Sequence, residues 1–178
     1  MKKFLVPCLL AVILTACGSS ANEDLPKDSE TVSVYQNDHT FTHSMEGVQL
    51  VLDYEVKKIT EKVVAATSTT LEPGDYIIEL TGTVDNQFEQ VVYYDPNFNL
   101  QTSNDTVLKQ ISSTVDEEQL EVAPGTQKIF TTVYLLKKAD YEGNTELNLR
   151  VPAAFKEPNS ESSGDALGDF TNWQIPIK

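Results

Sequence analysis

Cysteine is scarce in this chain of 178 residues, and both copies, Cys8 and Cys17, sit at the front. Everything after Cys17 is free of thiols, which excludes a thiol nucleophile, a redox pair, a disulfide and a Cys-type zinc site there. Basic residues are few: 13 Lys and Arg stand against 27 Asp and Glu, a net charge of −14. So acidic a surface repels phosphate backbones, and no nucleic-acid partner is expected. Histidine is limited to His39 and His43. Beyond the first sixteen residues no apolar run approaches the roughly 20 residues of a spanning helix. There is no Gly-x-Ser-x-Gly nucleophile elbow and no phosphate-cradling glycine loop. Convincing helical periodicity is also missing; Val107, Leu108 and Ile111 would make one turn at most.

The first sixteen residues have a definite layout. Lys2 and Lys3 give a positive start, Phe4 to Leu14 is apolar apart from Pro7, and the small residues Thr15 and Ala16 precede Cys17. This is the pattern of a secretory signal, with an apolar run too short to remain in a bilayer. Leu14-Thr15-Ala16-Cys17 resembles the lipobox of bacterial lipoproteins. The resemblance implies a diacylglyceryl group on the Cys17 sulfur and cleavage between Ala16 and Cys17. Each buried methylene contributes about 0.8 kcal/mol, so one acyl chain holds marginally and two hold stably. The expected location is the extracytoplasmic face of the cell membrane, with the membrane itself as a partner through Cys17. Loss of residues 1–16 removes two lysines and no acid, leaving 11 basic against 27 acidic residues and a charge of −16. Anionic head groups repel such a domain, so it stands off the bilayer. Residues 17–31 read as lipidated cysteine plus flexible tether, small, polar and acidic, with a reach on the order of 20 Å. The folded domain is expected over 32–178.

From Val32 onward the apolar pattern has period two, the mark of half-buried strands. Val48, Leu50, Leu52, Tyr54 and Val56 share a face. The phase then slips to Ile59 and Val63, which predicts a bulge or break near Lys57–Lys58. Tyr76, Ile78, Leu80 and Val84 share a second face with Gly82, which leaves room for a bulky neighbour. Leu147, Leu149 and Val151 alternate with polar residues, as do Trp173, Ile175 and Ile177. Pro176 cannot donate to a ladder and marks an edge or a strand end. Phe88 to Tyr94 and Ile129 to Leu136 are apolar on both faces, as in covered central strands. Pro73-Gly74 and Pro124-Gly125 each predict a type II turn before a strand, and Asp95-Pro96-Asn97 a third turn. Residues 152–169, where only Phe155 and Leu167 are large and apolar, read as a long loop.

Eight or so strands separated by turns predict an all-β sandwich. The run Gly74 to Asn86, the polar-aromatic stretch through Asn99, the turn Val122-Ala123-Pro124-Gly125 and the strand after it resemble a group of Gram-positive lipoproteins. Their single exported domain is an immunoglobulin-like (telokin-like) sandwich of unknown function. The resemblance spans roughly 32–178, implies that fold, and brings no catalytic residues.

The chemistry is sparse. His39 and His43 share a strand face across Phe41, with Glu46 or Asp38 as a conceivable third ligand, but two imidazoles without a clear third partner make a poor metal site. Asp95, Asn97 and Asn99 match the start of a calcium loop; Leu100 and Thr106 then stand where glycine and the bidentate glutamate belong. The acid pair Glu117-Glu118 points to opposite faces of a strand, which is wrong for a shared proton. No catalytic residue, metal or cofactor is therefore expected. The candidate contact surface is the third turn: Tyr93, Asp95, Asn97 and Phe98, close to Asn99, Ser103 and Asn104. Tyrosine, serine and asparagine on a turn suit adaptable binding. Tyr94 shares phase with Phe88 and Val92 and is expected inward, Tyr93 outward. The expected role is a lipid-anchored binding module for a protein or envelope component. A homeostatic lipoprotein modulating a membrane enzyme and a small cell-envelope hydrolase are the alternatives.

Overall fold

The computed structural model describes residues 26–65, 67–115, 119–160 and 164–178. Ala16, Cys17, the signal and Glu117-Glu118 lie outside them. The elements are a 3-10 turn Asp28–Glu30, β1 Thr31–Gln36, β2 Phe41–Met45, β3 Val48–Ile59, β4 Val63–Val64, β5 Thr70–Leu71, β6 Tyr76–Asn86, β7 Val92–Tyr94, β8 Asn99–Gln101, β9 Lys109–Ser113, β10 Leu120–Val122, β11 Thr126–Leu136, α1 Lys138–Gly143, β12 Glu146–Val151, β13 Ala154–Phe155 and β14 Thr171–Pro176.

The architecture is an all-β sandwich. One layer is a six-stranded antiparallel sheet, β1-β3-β6-β11-β9, with β2 also paired to β3. Two three-stranded sheets, β14-β12-β8 and β10-β7-β13, oppose it. The even-numbered apolar residues of β3, β6 and β11 meet Tyr94, Leu100, Val122, Leu149 and Ile175 in one apolar core. Burying each large side chain contributes about 1.5–3 kcal/mol. Gly82 serves the packing its place predicts. A Cβ there would lie 2.2 Å from Phe130 Cζ, so the buried Phe130 ring lies directly over the glycine.

Several expectations are corrected. Among the described residues there are fourteen strands rather than about eight; the additional ones are two or three residues long and too short to show a period. No bulge interrupts β3 at Lys57–Lys58, where pairing with β6 is continuous from Val48 to Lys58. Ile59 changes face because that end of the sheet is covered on both sides. Ile59, Ile77, Val133 and Leu135 form a second small core with Ala65 and Leu71, over which the β4-β5 hairpin folds. The irregularity lies in β1, between Ser33 and Tyr35. Only Val92–Tyr94 of the run from Phe88 is strand. β11 is central as expected, but Ile129 is 67% exposed because the second core does not extend that far. Val107, Leu108 and Ile111 form no helical turn; Ile111 lies in β9. Instead a six-residue helix, α1, follows β11. The carboxylate of buried Asp75 accepts from the Lys138 N–H at 3.3 Å and from Lys137 Nζ at 2.7 Å, and Tyr141 stacks on Tyr76. Finally, residues 28–31 of the expected tether are docked: Glu30 accepts from the Thr60 N–H at 2.9 Å and β1 starts at Thr31.

Both proline-glycine turns precede strands as predicted. Asp75 N–H donates to Glu72 O at 3.0 Å with Gly74 at φ +96°, and Thr126 N–H to Ala123 O at 3.2 Å with Gly125 at φ +68°. Positive φ at the third turn position is what glycine permits. Between the two layers Tyr54 donates its hydroxyl to Pro176 O at 2.6 Å, tying β3 to the end of edge strand β14.

Candidate functional site

Asp95-Pro96-Asn97 links β7 of one three-stranded sheet to β8 of the other. Inward phase continues through it: Val92, Tyr94, Pro96, Phe98 and Leu100 are buried, while Asn97 and Asn99 are exposed. The Asn97 N–H donates to Asp95 Oδ1 at 2.8 Å and fixes the local kink. Tyr94 is buried as expected and Tyr93 half-buried, opposite Glu121 of β10 and Phe155 of β13. Phe98 is a correction. Expected at a contact surface, it is buried in the core, its ring 5.8 Å from Phe130 and its carbonyl accepting from the Tyr134 hydroxyl at 3.0 Å. The unbroken period-two phase turns it inward. Burial pushes the Tyr94 and Tyr134 hydroxyls above the ordinary tyrosine range.

Beside this link lies a cleft of about 660 Å³. Its polar lining includes Asp95, Asn97, Gln119, Asn159 and Ser160; Pro152, Phe155 and Phe170 supply the apolar part. A neighbouring hollow of about 250 Å³ shares Asp95, Asn97, Pro152 and Phe170 and adds Asn99 and Arg150. The structure thus brings Asp95 and Asn97 into one groove, whereas Tyr93 and Phe98 are not among its described lining residues.

The groove wall comes from the segment read as a long loop, and its described residues, 152–160 and 164–169, are anchored. β13 pairs with β7, the Ala154 N–H points at Met45 Sδ at 3.1 Å, and Leu167 N–H donates to Ala154 O at 2.8 Å. Lys156 N–H donates to Asp165 O at 2.9 Å, and Ser160 Oγ to Asp165 Oδ2 at 2.8 Å. Across the groove the Asn159 N–H donates to Gln119 Oε1 at 2.7 Å. Asn159 itself adopts φ +55°, a conformation asparagine tolerates better than most residues. At the rim Phe170 is 49% exposed, with the Arg150 guanidinium carbon 4.7 Å from its ring centroid. Arg150 is the sole arginine of the chain.

The outer face of the β14-β12-β8 sheet continues from this rim. Register places Asn99, Arg150 and Asn172 in one cross-strand row and Gln101, Asn148 and Gln174 in the next. Gln174 Nε2 donates to Asn148 Oδ1 within the second row. Five carboxamides and one guanidinium therefore stand side by side on strands about 4.8 Å apart.

The remaining candidates do not converge here. His43 Nε2 lies 3.1 Å from Asp169 O and its ring meets Trp173 edge-on at 6.4 Å, a packing role. His39 is exposed. Among the described residues no group of three or more His, Cys, Asp or Glu is placed to hold a metal, and no helix among them is long and apolar enough to cross a membrane. Phe170, Arg150, Gln119, Asn159 and Ser160 escaped sequence reasoning. The outward alternation of Asn148, Arg150, Asn172 and Gln174 was the one available signal, and it lacked the strand pairing that assembles them.

Residues 19–178 match the family model described as a domain of unknown function, DUF5068. The chain belongs to this family. Among solved structures it is similar to a functionally unknown protein from Listeria monocytogenes EGD-e, with a TM-score of 0.59 and 16% identity over 83% of this chain and 88% of that one. It is also similar to the yjhA protein of Bacillus subtilis, with a TM-score of 0.54 and 14% identity over 78% and 97% of the two chains. An uncharacterized β-sandwich protein from Clostridium difficile 630 aligns at a TM-score of 0.43 and 8% identity, over 75% of this chain and 89% of that one. At these identities the first two likenesses concern the fold alone. No match to a curated protein was found.

Proposed function

We propose that this protein is a lipid-anchored, extracytoplasmic binding module without enzymatic activity, and that its ligand occupies the groove beside Asp95-Pro96-Asn97. The observation that carries the binding role is the groove itself. Its volume lies in the range of small-ligand sites, and its apolar rim is combined with a few directed polar groups. Its walls are tied by hydrogen bonds from both sides, so little ordering cost falls on binding. The lining favours holding over turning over. Amides neither give nor take protons near neutral pH, Asp95 Oδ1 is engaged by the Asn97 N–H, and His43 sits against Trp173. The anchor rests on Leu14-Thr15-Ala16-Cys17 following a charged start and an apolar run.

Two measurements test the two halves of the proposal. Cys17→Ala should release the protein into the medium or leave an uncleaved precursor; a correctly processed, membrane-bound variant removes the lipid assignment. Crosslinking in intact cells should capture a component with the native chain and lose it with Phe170→Ala. Capture unchanged by that substitution moves the contact surface elsewhere. Turnover of a cell-wall substrate that one groove substitution abolishes would replace binding by hydrolysis.

A further inference from the structure

We infer that the ligand class of this groove is a neutral oligosaccharide, held by the exposed Phe170 ring and by the carboxamide rows that run outward from it; this rests on the groove being the binding site. Three features of the surface select that class.

The first is the kind of hydrogen bonding on offer. A carboxamide presents donors and an acceptor in one plane, a carboxylate only accepts and an ammonium only donates. A sugar hydroxyl both donates and accepts, and an uncharged amide can match it in both roles. Asn99, Asn148, Asn172, Gln101 and Gln174 supply five of them in two adjoining rows, and Asn97, Asn159 and Gln119 extend the set into the groove. Successive rows lie about 7 Å apart along the strands and neighbouring positions about 4.8 Å apart across them, a spaced grid rather than one point contact.

The second is charge. The chain has 27 acids, yet within these two rows the sole ionised group is Arg150. An anionic ligand would meet the Asp95 carboxylate in the groove and find one cation amid a strongly negative molecule, and a cationic one would meet that arginine at the rim. A neutral ligand avoids both penalties. Arg150 then acts as a planar fork of donors for hydroxyls while its face steadies Phe170.

The third is the ring. Phe170 remains half-exposed at the mouth of a groove whose lining is mostly polar, with Pro152 and Phe155 as its other apolar members. An aromatic face bordered by amides suits a ligand with apolar C–H faces and hydroxyl edges, which is the make-up of a sugar ring.

The test uses the full chain in detergent micelles and titration calorimetry with three defined probes: cellotetraose and chitotetraose, both neutral, and tetragalacturonate, which carries carboxylates. At least one neutral tetrasaccharide should bind saturably. Its affinity should change less than about twofold between low and high salt, because no ion pair is screened. Tetragalacturonate should bind about tenfold more weakly, and Phe170→Ala should weaken the neutral sugar about tenfold, the size of loss typical of an aromatic anchor. Asn172→Ala should weaken it less, with the melting temperature of both variants kept near that of the native chain. No saturable binding of either neutral probe, affinity that collapses with salt, or binding unaffected by Phe170→Ala each overturns the assignment. If cellular crosslinking depends on Phe170 while no sugar binds, the groove stands and the saccharide class falls. If crosslinking is also independent of Phe170, both fall.

Discussion

The outer face of the six-stranded sheet and that of the β14-β12-β8 sheet cover the same core and differ in chemistry. On the larger sheet Asp53, Glu55, Lys57, Glu79, Thr81 and Asp85 point outward. Glu55 and Glu79 stand directly opposite each other, a repulsive pair that Lys57 relieves, its Nζ 3.4 Å from Glu55 and 2.9 Å from Glu79. That face sets four acids against one lysine and keeps a net negative charge. The smaller sheet carries amides in the same positions, with one arginine stacked on an exposed phenylalanine beside a groove. Solubility needs charge, and the larger sheet provides it. A face dominated by amides on so acidic a molecule suits contact with the neutral partner proposed above.

The contrast between inward and outward residues breaks first at Tyr94. Tyr94→Ala should cost about 3 kcal/mol or more, as for a buried aromatic, and Tyr93→Ala under about 1 kcal/mol. Denaturant unfolding of the two variants checks this; equal losses would mean that β7 is core on both faces.

A buried amide sharpens the comparison next. Asn86, fully buried, donates to Gln90 O and Val122 O and accepts from the Phe88 N–H, each at 2.8 Å. Asn86→Ala strands these backbone groups and should cost about 2–3 kcal/mol. Asn172→Ala, on the exposed face, should change stability by under about 0.5 kcal/mol. Similar costs at both sites would show that the amide rows are structural.

The core tyrosines predict the pH response. Burial first of all raises the Tyr54, Tyr94 and Tyr134 hydroxyls above their ordinary value, so folding favours their neutral forms. The stabilisation is complete below the unfolded pKa of about 10 and is lost as pH rises above it. Unfolding midpoints should fall on the alkaline side of pH 10, and Tyr94→Phe should reduce the slope there. At neutral pH Tyr134→Phe gives up the bond to Phe98 O and should cost about 1 kcal/mol. Tyr94→Phe should be nearly neutral, because its buried hydroxyl has no hydrogen-bond partner among the described residues. A large cost for Tyr94→Phe would reveal a partner there.

Legibility in the sequence followed the range of the interactions. The long strands β3, β6 and β12 were readable because alternation over six or more residues reports a half-buried sheet, and β11 was recognisable as central from apolar residues on both faces. The room at Gly82 was readable as well, though not that Phe130 fills it. Strands of two or three residues carry no period, and the slip at Ile59 was misread because a second core on the far face looks like a bulge in one dimension. At the site, Asp95 and Asn97 were recognisable as a polar turn, and Phe98 was misplaced because the link keeps its inward phase.

The sequence by itself determined the all-β sandwich, the proline-glycine turns and the main core face of β3, β6 and β12, since these depend on side-chain alternation and local backbone preference. Only the tertiary structure decided which strands neighbour one another. It alone set Arg150 beside Phe170, aligned the amides of β8, β12 and β14 in rows, and folded residues 152–160 back as a groove wall. Those positions are far apart in the chain, and their register comes from packing against a shared core, which no local pattern records.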